Sequence, residues 1–207
     1  MIDNGIKNVP TLNDAKKLLN EAEKLNPGPW VGHSLYAGKA AELIAQNCPE
    51  LNSDTALVLG MLHDIGRRFG VTDMRHAIDG YNFCMDKGYT FLAKICMTHS
   101  FNYKDIRAAF GKWDCSKKEY DFVKEYLQTI EYDDYDRLIQ LCDVLALPDG
   151  FCLIEKRMVD VALRHGIHEG IIPKWKATFE TKDYFERKIG KSIYSLLPGV
   201  VENTFGL

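Results

Sequence analysis

The sequence predicts an all-α protein, a single-domain helical bundle. Three observations carry this. Apolar residues recur at helical spacing over almost the whole chain, Pro, Gly and capping residues punctuate the periodic segments, and no series of alternating strands joined by hairpin turns is present. At 207 residues, with 46% hydrophobic and 27% charged, the chain is long enough to bury a substantial core as one domain. Residues 1–207 are assigned to that domain, with a motif-bearing part over roughly 30–150 and C-terminal helices over 151–207 laid against it.

A first helix begins after Thr11, where Thr11 and Asp14 make a capping-box-like start, and ends near Leu25 before the turn Asn26-Pro27-Gly28-Pro29. The second starts around Gly32 or His33 and runs to Cys48, where Pro49 stops it. Ser53 caps a third helix that carries residues 56–65 and is apolar nearly all round, the mark of a central, buried element. Further helices are predicted over residues 73–87, 90–100, 116–130, 134–147, 151–165 and 173–189. Gly88 and Gly166 fit C-terminal caps, Ser116 with Glu119 a capping box, and Pro173 a first helical turn. Residues 102–114 and the tail after Leu197 are the least regular parts.

A net charge of -3 gives no electrostatic reason to expect a nucleic acid polymer or an anionic membrane as partner. No apolar run approaches membrane-spanning length, and the N-terminal residues Met1 to Gly5 lack the basic region and apolar stretch of a signal peptide. The expectation is a cytoplasmic protein; its oligomeric state is open. Cys48, Cys84, Cys96, Cys115, Cys142 and Cys152 show no CxxC pairing and fall mostly beside apolar residues, so they are expected to be reduced packing thiols rather than disulfides or ligands.

The chemistry concentrates in a few polar residues set in apolar surroundings. His63-Asp64 closes the very apolar run Ala56-Leu57-Val58-Leu59-Gly60-Met61-Leu62, and His33, His76, His99 and Asp143 also stand in or beside apolar helical sequence. An unpartnered imidazole or carboxylate is costly to bury in such places, and one shared metal site explains them together. Divalent cations favour imidazole nitrogen and carboxylate oxygen, and a dinuclear centre needs a carboxylate that can bridge. Asp64 is the bridge candidate. His33, His63, Asp64 and Asp143 make one ligand set, and His76 and His99 with Asp64 could hold a second ion. Otherwise these last two histidines bind substrate phosphate or cap a helix.

The order His33, His63-Asp64, Asp143 resembles the H…HD…D pattern of the HD superfamily of metal-dependent phosphohydrolases. His33-Ser34-Leu35, Leu62-His63-Asp64-Ile65-Gly66-Arg67 and Leu141-Cys142-Asp143 are similar to the usual settings of those ligands. With His76 and His99 the pattern also resembles dinuclear members, including symmetrical diadenosine tetraphosphate hydrolases. Some subgroups fit poorly. Alarmone hydrolases carry Glu-Asp where Arg67-Arg68 stand here, and Asn82 follows Gly80-Tyr81 where cyclic-di-GMP phosphodiesterases have proline. Deoxynucleotidase-like members often carry Lys at the place of Arg67.

The resemblance implies hydrolysis of a phosphomonoester or a nucleotide-type phosphoanhydride by metal-activated water. Its cofactor would be one or two divalent transition-metal ions, Fe, Mn, Co, Ni or Zn, with Mg as a further candidate. Asp64 would bridge the ions and position the water, and Arg67 would clamp a nonreacting phosphate oxygen. The plainer role for Arg67 and Arg68 is surface ion pairing at a helix C-terminus. His165 and His168 fit helix termination, Glu155-Lys156-Arg157 a solvated face or, alternatively, a border of the pocket, and Trp30, Tyr81 and Phe83 either core or a wall for a base. No general acid is identified. The expected partner is a small phosphorylated molecule, with nucleotides among the candidates. Two alternatives share the ligand set: a dinuclear-iron oxygenase similar to myo-inositol oxygenase, and a noncatalytic nucleotide or metal sensor.

Overall fold

The computed structural model describes residues 8–207; the N-terminal residues read above for a leader lie outside it. Among the described residues the periodic segments become ten α-helices and no named strand. They are α1 (Leu12–Leu25), α2 (Trp30–Ala45), α3 (Ser53–Leu62), α4 (Arg75–Asp86), α5 (Thr90–Thr98), α6 (Lys117–Thr129), α7 (Asp134–Leu145), α8 (Ile154–His165), α9 (Ile171–Ile189) and α10 (Val200–Phe205). Short 3-10 turns stand at Ile65–Phe69, Ile106–Ala108 and Ile193–Leu196. None of these helices is long and apolar enough to cross a membrane. All six cysteines are free thiols; five are buried and Cys115 is half-buried.

The centre of the fold is the crossing of α2 over α3. Small residues allow it: a Cβ placed on Gly60 would come within 2.6 Å of the Gly38 Cα, so the two backbones touch there. Around the crossing lie Ala37, Ala41 and Ile44 of α2 and Leu59 and Leu62 of α3, with Ile95 of α5 and Leu138 and Leu141 of α7, all fully buried. This packing brings the first turn of α2, the last turn of α7 and the C-terminal ends of α3 and α5 to one end of the core, the end that carries the polar residues.

Local departures from the sequence expectation have physical causes. Helix α2 begins at Trp30 because Pro29 already has helical angles (φ -65°, ψ -15°), so His33 lies one turn inside and its amide donates to the Pro29 carbonyl at 3.1 Å. Helix α3 stops at Leu62, and Asp64 (φ -99°, ψ 16°) turns the chain into the 3-10 segment. Residues 151–153 are not helical, since Phe151 pairs with Ala146 across the Pro148-Asp149-Gly150 turn. The tail expected to be irregular forms α10, bounded by Gly199 and Gly206 at positive φ of 69° and 70°. The irregular stretch 102–114 holds only the turn Ile106–Ala108, over a second apolar cluster built on Met97, Phe101, Val123 and Leu127.

Candidate metal centre

Each predicted ligand sits where a helix begins or ends, and one local device orients three of the four histidines. His63 and His99 are the C-terminal caps of α3 and α5, both at φ -57°, ψ -33°. There the last carbonyls of a helix have no amide partner. The ring Nδ1 of His63 meets the carbonyl of Gly60 at 2.6 Å, and that of His99 meets the carbonyl of Cys96 at 2.8 Å, each three residues back. His76, in the first turn of α4, makes the same contact with the Asp73 carbonyl. His33 reaches across to the Ala146 carbonyl at 3.1 Å. A carbonyl can only accept, so every Nδ1 carries a proton, and in the neutral ring every Nε2 presents a lone pair inward.

Those inward atoms converge on two carboxylates. Asp64 Oδ1 lies 3.2 Å from His76 Nε2 and 3.5 Å from His99 Nε2, and Asp64 Oδ2 lies 4.0 Å from His63 Nε2. Asp143 Oδ1 lies 2.9 Å from His33 Nε2 and 3.7 Å from His63 Nε2. Asp64 therefore belongs to two buried trios, one with His33 and His63 and one with His76 and His99. The four imidazoles and Asp64 are nearly inaccessible to solvent, and Asp143 is half-buried.

The arrangement fits a cation. His76 Nε2 and His99 Nε2 are 3.1 Å apart, two lone pairs facing each other. His63 Nε2 is buried without any hydrogen-bond partner. Burial opposes the charge on Asp64, but the Arg67 guanidinium leads the groups that outweigh it and hold the carboxyl well below the usual range. Burial likewise opposes charge on Asp143, and the adjacent His33 and His63 rings reverse the effect. For His76, burial and then Arg67 push the ring down to about 3, so it is neutral, as a ligating imidazole must be. For His63 burial favours the neutral ring, yet Asp64 and Asp143 prevail and raise its pKa.

The cluster forms the floor of a cleft of about 390 Å³. Arg67 borders it, with Nε on Asp64 Oδ2 at 2.6 Å and Nη1 on the Thr72 carbonyl at 3.3 Å. It lies inside the site rather than in surface pairing. Arg68 turns away and stacks on Phe83 at 4.2 Å. Trp30 reaches the cleft, whereas Tyr81 packs against Phe122 and Tyr126.

Much of the remaining lining comes from α8 and α9, to which the sequence reading assigned no part in the site beyond the Glu155-Lys156-Arg157 run as an alternative pocket border. Helix α8 contributes Arg157, Val161, Arg164 and His165, and α9 contributes Lys174, Trp175 and Thr178. His168 packs on Phe110 instead. Of the Glu155-Lys156-Arg157 run, the first two residues are exposed and only Arg157 borders the cleft. Lys174 was legible in principle: helical spacing puts it on one stripe with Ile171, Thr178, Thr181 and Phe185, all buried.

An all-helical scaffold with two His/Asp trios joined by one carboxylate defines a candidate divalent-metal protein. The family model for the HD domain matches residues 30–147, more than half of the chain, and the chain belongs to that family. HD domains in general mark metal-dependent phosphohydrolases, although not every HD protein is an enzyme. No curated protein and no solved structure matches the chain.

Proposed function

We propose that the protein is a metal-dependent phosphohydrolase that attacks a phosphomonoester or a nucleotide-type phosphoanhydride with water. The observation that carries this reading is the sharing of Asp64 between two trios whose imidazoles all turn a lone pair toward one floor of an open cleft. His33, His63, Asp64 and Asp143 would hold one ion, and Asp64, His76 and His99 a second. A divalent cation bound there supplies Lewis-acid polarisation of a phosphoryl oxygen and acidifies the attacking water.

The chain's own residues do the rest. Four backbone carbonyls fix the imidazole tautomers, so the ligands are pre-oriented and need no proton transfer to become donors. Asp64 is charged at neutral pH and lies between the two trios, where it orients the nucleophile. Arg67 holds Asp64 through Nε and keeps part of its guanidinium at the cleft, available to an equatorial phosphate oxygen.

The test is phosphate release from p-nitrophenyl phosphate, nucleoside mono-, di- and triphosphates and dinucleoside polyphosphates, with Mn, Co, Ni, Zn, Fe and Mg in turn and oxygen excluded. Turnover that disappears in folded Asp64→Ala supports the reading. Iron-dependent oxygen consumption with an organic substrate would replace it with oxygenase chemistry. Nucleotide-dependent thermal stabilisation without turnover at high protein concentration would replace it with sensing.

A further inference from the structure

We propose that the α9 wall of the cleft, centred on Lys174, is an oxyanion subsite that grips nonreacting phosphate oxygens of the ligand. The identity of the anion as a phosphate rests on the phosphohydrolase reading; the existence of an anion subsite does not.

Lys174 is 8% exposed and borders the same cleft as the metal-site residues. An ammonium taken out of water is stable only with hydrogen-bond acceptors and counter-charge around it. Lys174 Nζ has one acceptor, the Ser100 carbonyl at 2.9 Å, and no carboxylate oxygen among the described residues lies within 4.0 Å of it. Its remaining surroundings include the ring of Phe110, 4.8 Å away. Three N–H donors thus serve one protein acceptor.

The position adds to the oddity. Lys174 stands in the first turn of the 19-residue helix α9, which has no acidic residue there, and that end of a helix favours anions over cations. A buried cation at this place raises the local positive potential where no carboxylate pairs with it directly, Asp143 acting only from a distance. The adjacent residue shows the same deficit: Trp175 borders the cleft, and its indole Nε1 is buried with no hydrogen-bond partner. Two neighbouring side chains on one wall thus keep N–H donors that no protein acceptor meets. Ser100, which holds Lys174, directly follows His99, so an anion on Lys174 lies beside the proposed metal floor. An oxyanion with several equivalent oxygens, as in phosphate, can accept from more than one such donor.

The test is calorimetric binding of inorganic phosphate to the purified, metal-containing protein, in wild type and in Lys174→Met, Lys174→Gln and Trp175→Phe. Gln keeps a donor for the Ser100 carbonyl while removing the charge, so it separates anion binding from the structural tie. The expected result is an affinity loss of about tenfold or more in both Lys174 variants and a smaller loss in Trp175→Phe, with thermal midpoints of the ligand-free variants at or above wild type. Where a substrate is turned over, KM rises more than kcat falls. Phosphate binding in folded Lys174→Gln within twofold of wild type would overturn the proposal, as would a wild type that does not bind phosphate. Lys174-dependent phosphate binding without hydrolysis of any phosphate compound would leave the subsite standing and remove the phosphohydrolase reading alone.

Discussion

His76 and His99 face each other with their Nε2 atoms 3.1 Å apart, and each ring is pinned by its Nδ1 to a backbone carbonyl three residues back. With both Nδ1 atoms protonated, no hydrogen bond joins the facing nitrogens. The two lone pairs repel unless a cation lies between them and Asp64. The fold thus carries a local electrostatic cost that a bound cation would relieve, and that relief would tie stability to metal occupancy.

Metal should therefore stabilise the fold. At a free divalent-ion concentration of 100 times Kd, the gain is about 2.7 kcal/mol, a rise in thermal midpoint on the order of 5–10 °C for a chain of this size. Thermal melts with and without chelator check it, and a midpoint indifferent to chelation contradicts it.

Arg67 is paired to Asp64 at 2.6 Å, with its side chain 30% exposed and that of Asp64 6% exposed. Arg67→Ala leaves a buried carboxylate short of its nearest cation, at a cost on the order of 2–3 kcal/mol, below the range for fully buried pairs because Arg67 is partly solvated. Arg67→Lys keeps the charge but loses the planar fork that serves Asp64 and the Thr72 carbonyl together, so it should recover only part of that loss. Urea denaturation of both variants measures the order, and equal stability of all three proteins would refute it.

Burial, against a weaker opposing pull from Asp143, lowers Lys174 from 10.5 to about 8. Between these values the unfolded chain holds a proton that the native state has released, so this residue makes stability rise with pH across that window. Below about pH 8 the native state carries the full penalty for the charged amine, on the order of 3 kcal/mol. Comparing wild type with Lys174→Met by chemical denaturation at several pH values isolates the effect. The variant should be the more stable protein near pH 7, and the difference should shrink toward pH 10.

Gly60 is where α3 touches α2, and its carbonyl also anchors His63. Gly60→Ala forces the two helices apart and should cost about 1–3 kcal/mol by overpacking, with metal content reduced because His63 moves with the backbone. Denaturation midpoints and metal analysis of the one variant test both halves of the statement.

The helices were legible in the sequence because periodicity and capping are local: Ser116 with Glu119 forms the expected capping box, and Thr11 accepts from the Asp14 amide. The polar cluster was legible because His33, His63, Asp64, His76, His99 and Asp143 are of ligand type and would be costly alone in apolar surroundings. Apart from Arg157 as an alternative pocket border, the α8 and α9 lining was not legible, since it depends on where these helices fall over the cleft, a long-range outcome that spacing does not encode. Arg157 and His165 look like ordinary helix-surface residues until the helix is laid across the site. The 3-10 segment after Asp64 escaped the reading for a different reason: Ile65 continues the apolar pattern of α3, and the break comes from Asp64 leaving helical angles.

The most direct test of the shared-carboxylate site is the metal content of protein purified without added metal or chelator, for wild type, His76→Ala and His99→Ala. Two ions per chain in wild type, falling toward one in each variant, is the predicted result. A single ion in wild type that neither substitution removes would contradict a second site at His76 and His99 and confine metal binding to His33, His63, Asp64 and Asp143.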